Sequence, residues 1–80
     1  MIHVLKTLPE YFQRTRKKEK LFEVRNNDRH FKAGDGLILK EWDGEKYTGA
    51  EISCIITYVL DGFEGINPGY VVLGVEVLIF

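Results

Sequence analysis

Lys20 to Asp35 reads K-L-F-E-V-R-N-N-D-R-H-F-K-A-G-D, and it holds most of the polar chemistry of the chain. Leu21 to Arg25 has the alternation of a short strand, with Phe22 and Val24 on one face and Glu23 and Arg25 on the other. Asn26, Asn27 and Asp28 interrupt it. Asn and Asp tolerate left-handed backbone angles and hydrogen-bond their own main chain, so a turn is predicted here. Arg29 and His30 follow, and Phe31 is the residue expected to pin the loop to a core. Gly34-Asp35 is a second turn, with Gly34 at positive φ and Asp35 accepting from main-chain amides ahead of the next strand. A rigid loop with Arg25, Asp28 and Arg29 suits a polar, anionic ligand. The same residues also suit an internal Glu–Arg and Asp–Arg lattice that only fixes the loop.

On the N-terminal side of that stretch, Ile2 to Lys6 is a strand. Thr7-Leu8-Pro9-Glu10 has the pattern of a capping box opening a helix, with Pro9 in its first turn. Leu8, Tyr11, Phe12 and Thr15 fall at helical spacing and form one apolar stripe. Arg14, Arg16, Lys17 and Lys18 crowd the helix end, where positive charge offsets the macrodipole. On the C-terminal side, Gly36 to Trp42 is a strand with Leu37 and Leu39 on one face and Ile38 and Trp42 on the other. Asp43-Gly44 signals a turn and Tyr47-Thr48-Gly49 a polar connection. Ala50 to Leu60 is a long β-branched strand, with Ile52, Cys54, Ile56, Tyr58 and Leu60 on one face. After the breakers between Asp61 and Gly69, Tyr70 to Phe80 is the last strand. Its Val71, Leu73, Val75, Val77 and Ile79 make a core face, and Tyr70, Gly74 and Glu76 lie opposite. A glycine inside a strand marks a bulge or a close approach.

One early helix and about five strands, with turn signals every ~8–12 residues, predict a small and mostly antiparallel barrel. Eighty residues make a single domain, 1–80, that buries roughly 60% of its unfolded surface. Cys54 is the single cysteine, so no internal disulfide forms, which fits a reducing cytoplasm. Cys54, His3 and His30 lack metal-ligand spacing, and neither metal nor cofactor is expected. No apolar run approaches a membrane span, and no signal peptide is evident. The net charge of −1 hides an asymmetry: residues 1–40 carry ten Lys or Arg against five acids, and residues 41–80 carry Lys46 against seven. The basic half can meet phosphate, or can simply be solvated surface.

K-x-x-E-x-R at Lys20 to Arg25, N-D-R at Asn27 to Arg29, F-K-A-G-D at Phe31 to Asp35 and Y-V-V-L-G-V at Tyr70 to Val75 resemble the small bacterial and phage members of the ASCH (activating-signal-cointegrator homology) group. That group is similar to the PUA domains, which are RNA-binding β-barrels. The resemblance spans nearly the whole chain. It implies a mostly β fold with one or two short helices, a five- to six-stranded pseudo-barrel. It further implies a cleft beside the early helix, faced by Lys20, Glu23, Arg25, Asp28 and Arg29.

Three functions fit this sequence. The first is a module that binds RNA, a nucleotide or a modified nucleoside, with arginines for phosphate or base edges. Tyr47, Tyr70, Trp42 or His30 would supply stacking. Charge balance favours a short ligand over a long RNA. The second is an amidohydrolase acting on N-acylated cytidine-type nucleosides, as some small ASCH proteins do. The match falls on Lys20, with Glu23 standing where those enzymes have threonine and Glu76 as a stand-in for a glutamate that has no counterpart here. The third is an interaction module that pairs through a barrel edge.

Overall fold

The computed structural model describes residues 1–79. Its elements are β1 (Ile2–Thr7), α1 (Pro9–Arg16), β2 (Phe22–Asn26), β3 (Gly36–Trp42), β4 (Tyr47–Leu60) and β5 (Tyr70–Ile79). The five strands form one mixed sheet in the order β1-β3-β4-β5-β2, curled into a half-barrel. The expectation of a mostly β fold with a short helix and a pseudo-barrel is met. Three of the four strand pairs are antiparallel, and β1 with β3 is parallel. Parallel neighbours need a crossover, and α1 with β2 supplies it. Phe80 and the side chain of Ile79, both expected at the end of the core strand, lie outside the described residues.

The core follows strand parity. Leu37 and Leu39 of β3, Ile52, Cys54 and Ile56 of β4, and Val71, Leu73 and Val75 of β5 all point inward and are buried. Leu5 of β1, Phe12 of α1 and Phe31 close the ends. Phe31 is the anchor its position predicts, with its ring edge-on to His3 at 4.7 Å. Gly34 has φ +94, its N–H donates to the Ile56 carbonyl, and the Ile56 N–H donates to the Asp35 carbonyl, both at 2.8 Å. The Gly34-Asp35 turn is thereby stitched to the middle of β4. The Asp35 carboxylate accepts from the Lys32 amide at 3.2 Å, as expected, and also from His3 Nε2 at 2.9 Å.

Four sequence expectations are corrected. Thr7 does not cap the helix. It is the last residue of β1, in register with Glu41, and buried there. The N-cap is Leu8, extended and without a side-chain cap, while Pro9 opens the helix as expected. The helical stripe is also narrower than the spacing implied: Phe12 and Thr15 are buried, but Leu8 and Tyr11 are half-exposed. β4 begins at Tyr47, not Ala50, because the Asp43-Gly44 turn is tight enough to pair Trp42 directly with Tyr47. Finally, Tyr58 leaves the face that Ile52, Cys54 and Ile56 share. Ile56 pairs with Val75 and Tyr58 with Gly74, so Thr57 is an extra residue and parity flips beyond it. Tyr58 is 64% exposed, and Val59, opposite Leu73, packs on the core instead. Gly74 faces this bulge closely: a Cβ there would lie 3.2 Å from Thr57 Oγ1.

Candidate functional site

In β2 the alternation is as the sequence reads, but the charged face is the inward one. Phe22 is 46% and Val24 55% exposed, whereas Glu23, opposite Leu73, is only 3% exposed. A buried carboxylate requires partners, and the chain supplies two cations. After α1 the main chain reverses through Lys18, at φ +62, and the amides of Glu19 and Lys20 both donate to the Arg14 carbonyl. The reversal hangs Lys20 in front of β2. Lys20 Nζ donates to Glu23 Oε2 at 2.7 Å and to the Phe22 carbonyl at 2.6 Å. From two residues along the strand, Arg25 donates Nε at 3.1 Å and Nη2 at 2.8 Å to Glu23 Oε1. Each carboxylate oxygen thus has its own cation.

This triad forms the floor of a cleft of about 880 Å³ between the end of β1, α1 and β2. Tyr11 and Phe22 stand at its rim, and Lys20 Nζ lies 5.7 Å and 5.0 Å from their ring centroids. Arg14 and Glu19, paired at 3.1 Å, with Lys6, Thr7 and Glu10, complete the polar wall. None of the hydrogen bonds among the described residues uses Arg25 Nη1, and Lys20 has a third N–H beyond its two acceptors. The cleft is therefore lined by two cations fixed by Glu23, with the rings of Tyr11 and Phe22 beside Lys20. On the inner side, burial pushes the Cys54 thiol up to about 11, with Glu23 adding to the shift and Lys20 opposing it.

Of the expected cleft residues, Lys20, Glu23 and Arg25 are brought together. Asp28, Arg29 and Tyr70 are not. Arg29 is committed elsewhere, its Nη1 donating to the Val4 carbonyl at 2.7 Å. Asp28 lies past the Asn27 turn, in which Asn27 Oδ1 accepts from the Phe31 amide at 3.0 Å, and it does not line the cleft. The Asp–Arg half of the expected lattice does not form among the described residues, while the Glu–Arg half does. Tyr70 borders a separate hollow of about 190 Å³ with Asn27 and Asp61. Glu76 is exposed on the outer face of β5, away from Lys20, so it is no partner for that lysine. Of the other stacking candidates, Trp42 and Tyr47 face each other in the β3–β4 hairpin, and His30 is an exposed loop residue at φ +51. Reading by sequence missed Tyr11, Phe22 and Lys6 as cleft residues. Their only local signal was apolar or basic character that a core stripe or a solvated face explains equally well.

Arg25 also closes the half-barrel. Its Nη2 reaches the Lys6 carbonyl at 3.2 Å and Thr7 Oγ1 at 3.4 Å, across the gap between the edge strands β1 and β2. Arg29 makes the parallel contact to Val4. Among the described residues no group of three His, Cys, Asp or Glu stands close enough to hold a metal. No helix among them is long and apolar enough to cross a membrane.

The fold and cleft define a small β half-barrel with a charged, aromatic-rimmed groove at its seam. The chain belongs to the family described as Domain of unknown function (DUF3850), whose model matches residues 2–75. It is similar to the "Uncharacterized 12.9 kDa protein in GpA 3'region" of Escherichia phage P2, with 38% identity over 60 residues, or 75% of this chain and 55% of the phage protein. The chain thus spans about half the length of that curated relative.

Proposed function

We propose that this domain binds a nucleotide, a modified nucleoside or a short RNA in the cleft between α1 and β2. The observation that carries the reading is the Lys20–Glu23–Arg25 triad beneath the rims of Tyr11 and Phe22. Glu23 fixes both cations, so their remaining donors meet a ligand without having to be ordered first. Two half-exposed aromatic rings beside fixed donors match a flat base with polar edges, which stacks on one and hydrogen-bonds to the other. The resemblance to the ASCH and PUA group supports the same reading. Hydrolysis of N-acylated cytidines through Lys20 is the less favoured alternative, because Lys20 Nζ is held as a donor to a carboxylate and a carbonyl. A nucleophile or base needs a neutral amine with a free lone pair.

Calorimetric titration with the four nucleoside monophosphates, N-acetylated cytidine and a short RNA tests the proposal. Phe22→Ala and Tyr11→Ala are expected to weaken binding by about fivefold or more each, the worth of one stacked base. Lys46→Ala is expected to leave it unchanged. No binding by the wild type across the panel, or undiminished binding by Phe22→Ala, would sink the proposal. Release of cytidine by the wild type, abolished in Lys20→Arg, would replace it with the hydrolytic reading.

A further inference from the structure

Outside the cleft, one surface joins aromatic rings to cations in a way the fold does not require. β1 and β3 are in register with Lys6 beside Lys40, and the β3–β4 hairpin pairs Trp42 with Tyr47. Lys6 Nζ lies 4.4 Å from the Trp42 ring centroid and 6.0 Å from that of Tyr47, and Lys40 Nζ lies 5.4 Å from Tyr47. Tyr47 is half-exposed. Among the described residues Lys40 pairs with Glu51 at 3.6 Å, and both side chains are exposed. The nearby Asp43 carboxylate accepts from the amides of Glu45 and Lys46. Lys6 and Lys40 thus lie over the partly buried Trp42 and the half-exposed Tyr47, with Lys40 also paired to Glu51. Lys6 belongs to this surface and to the cleft wall alike.

We infer that Trp42, Tyr47 and Lys40 form a second stacking platform, continuous with the cleft through Lys6, so that the ligand is a single nucleic-acid strand of two or more nucleotides rather than one nucleoside. This rests on the cleft reading above and extends it. A single strand alternates bases with phosphates. The molecule alternates an aromatic pair, Tyr11 with Phe22, then the Lys6 ammonium, then a second aromatic pair, Trp42 with Tyr47. One base stacks in the cleft, the following phosphate meets Lys6, and a later base stacks at the hairpin with Lys40 beside its phosphate. Exposed cation–π contacts are weak, so the lysines exchange a ring face for a phosphate oxygen readily while staying positioned beforehand. A duplex is excluded, because paired bases offer no free faces to either platform.

Trp42 is the only tryptophan in the chain, so its fluorescence reports this platform directly. The experiment titrates the protein with uridine monophosphate, hexauridylate, hexadeoxythymidylate and a double-stranded RNA hexamer. Hexauridylate is expected to bind at least about fivefold tighter than the mononucleotide, the worth of one further stacked base, and to quench Trp42. Tyr47→Ala and Lys40→Gln are expected to reduce that length-dependent gain while keeping mononucleotide affinity. Equal affinity for monomer and hexamer, an unchanged Trp42 signal with bound hexamer, or equal binding of the duplex would overturn the inference. Hexadeoxythymidylate separates RNA from single strands in general: binding as tight as hexauridylate makes the platform a reader of stacked bases and phosphates alone. If Phe22→Ala leaves mononucleotide affinity intact while hexamer quenching still depends on Tyr47, the cleft reading fails and the platform stands.

Discussion

Glu23 sits out of water with a cation on each oxygen, and that arrangement sets what the residue does. Its carboxylate satisfies Lys20 and Arg25, and Arg25 in turn reaches the carbonyl of Lys6. Removing one member of a buried ion group leaves the others uncompensated, which costs more than the group contributes as a whole. Glu23→Ala is therefore expected to destabilise the fold by about 3 kcal/mol in urea melts. A loss below about 1 kcal/mol would mean that the triad is solvated in solution. At this scale the sequence was partly legible. Lys20, Glu23 and Arg25 lie within six positions, Glu23 and Arg25 on one face of β2 and Lys20 in the turn just before it, so short-range spacing brings them together. Arg29 and Tyr70 were not legible, because which side of a turn or strand end faces the cleft depends on how β2 docks against β5. Tyr11 and Lys6 come from separate elements and enter the cleft only through the topology.

Among the elements, α1 carries an unresolved conflict on its buried face. Thr15 is fully buried beside Phe12, and its hydroxyl has no hydrogen-bond partner among the described residues. An unpartnered buried hydroxyl costs free energy that a methyl group does not. Thr15→Val keeps the branched shape, and is expected to stabilise the protein by roughly 1 kcal/mol in the same melts, with far-UV circular dichroism unchanged. Destabilisation would show that a partner or a water holds Oγ1. The strands show where pattern reading succeeds. β3 runs from Gly36 to Trp42 as expected, and Val71, Leu73 and Val75 of β5 are buried with Val77 packed against them, because apolar residues at period two leave one orientation only. It fails at Thr57, an ordinary strand residue that gives no sign of a bulge; the trace is Gly74, across the ladder. It is incomplete in β2 too. Alternation defines two faces, but burial of the charged one becomes visible only once both cations are in place.

For the molecule as a whole, the first strand is tied down at its start as well as along its length. His3 of β1 and the N-terminal ammonium both contact the Asp35 carboxylate, at 2.9 Å and 3.5 Å, next to the turn that meets β4. The hydrogen bond from His3 is the main cause holding the Asp35 carboxyl below its usual range, aided by the Lys32 amide and the N-terminal charge, with burial opposing. A folded-state pKa below the unfolded one adds stability above the unfolded value, and that stability is lost as the pH falls through the folded one. Stability is therefore expected to fall below the ordinary carboxylate value of 3.8 in the wild type, and less steeply in Asp35→Asn, when urea melts are compared between pH 3 and pH 7. Identical acid limbs would show that the clasp is absent in solution. None of this long-range closure was legible locally. The parallel pairing of β1 with β3 joins segments separated by a helix and another strand, and no periodicity encodes it.

The two arginines across the seam have one more effect. A half-barrel has two open edges, and an open edge is a template on which a strand from another molecule can add itself. Here the outward carbonyls of Val4 and Lys6 already receive guanidinium groups from Arg29 and Arg25. A strand arriving at β1 meets occupied acceptors and positive charge, both of which oppose edge-to-edge aggregation. The contacts that hold the groove in shape thus also make β1 a poor template for strand addition.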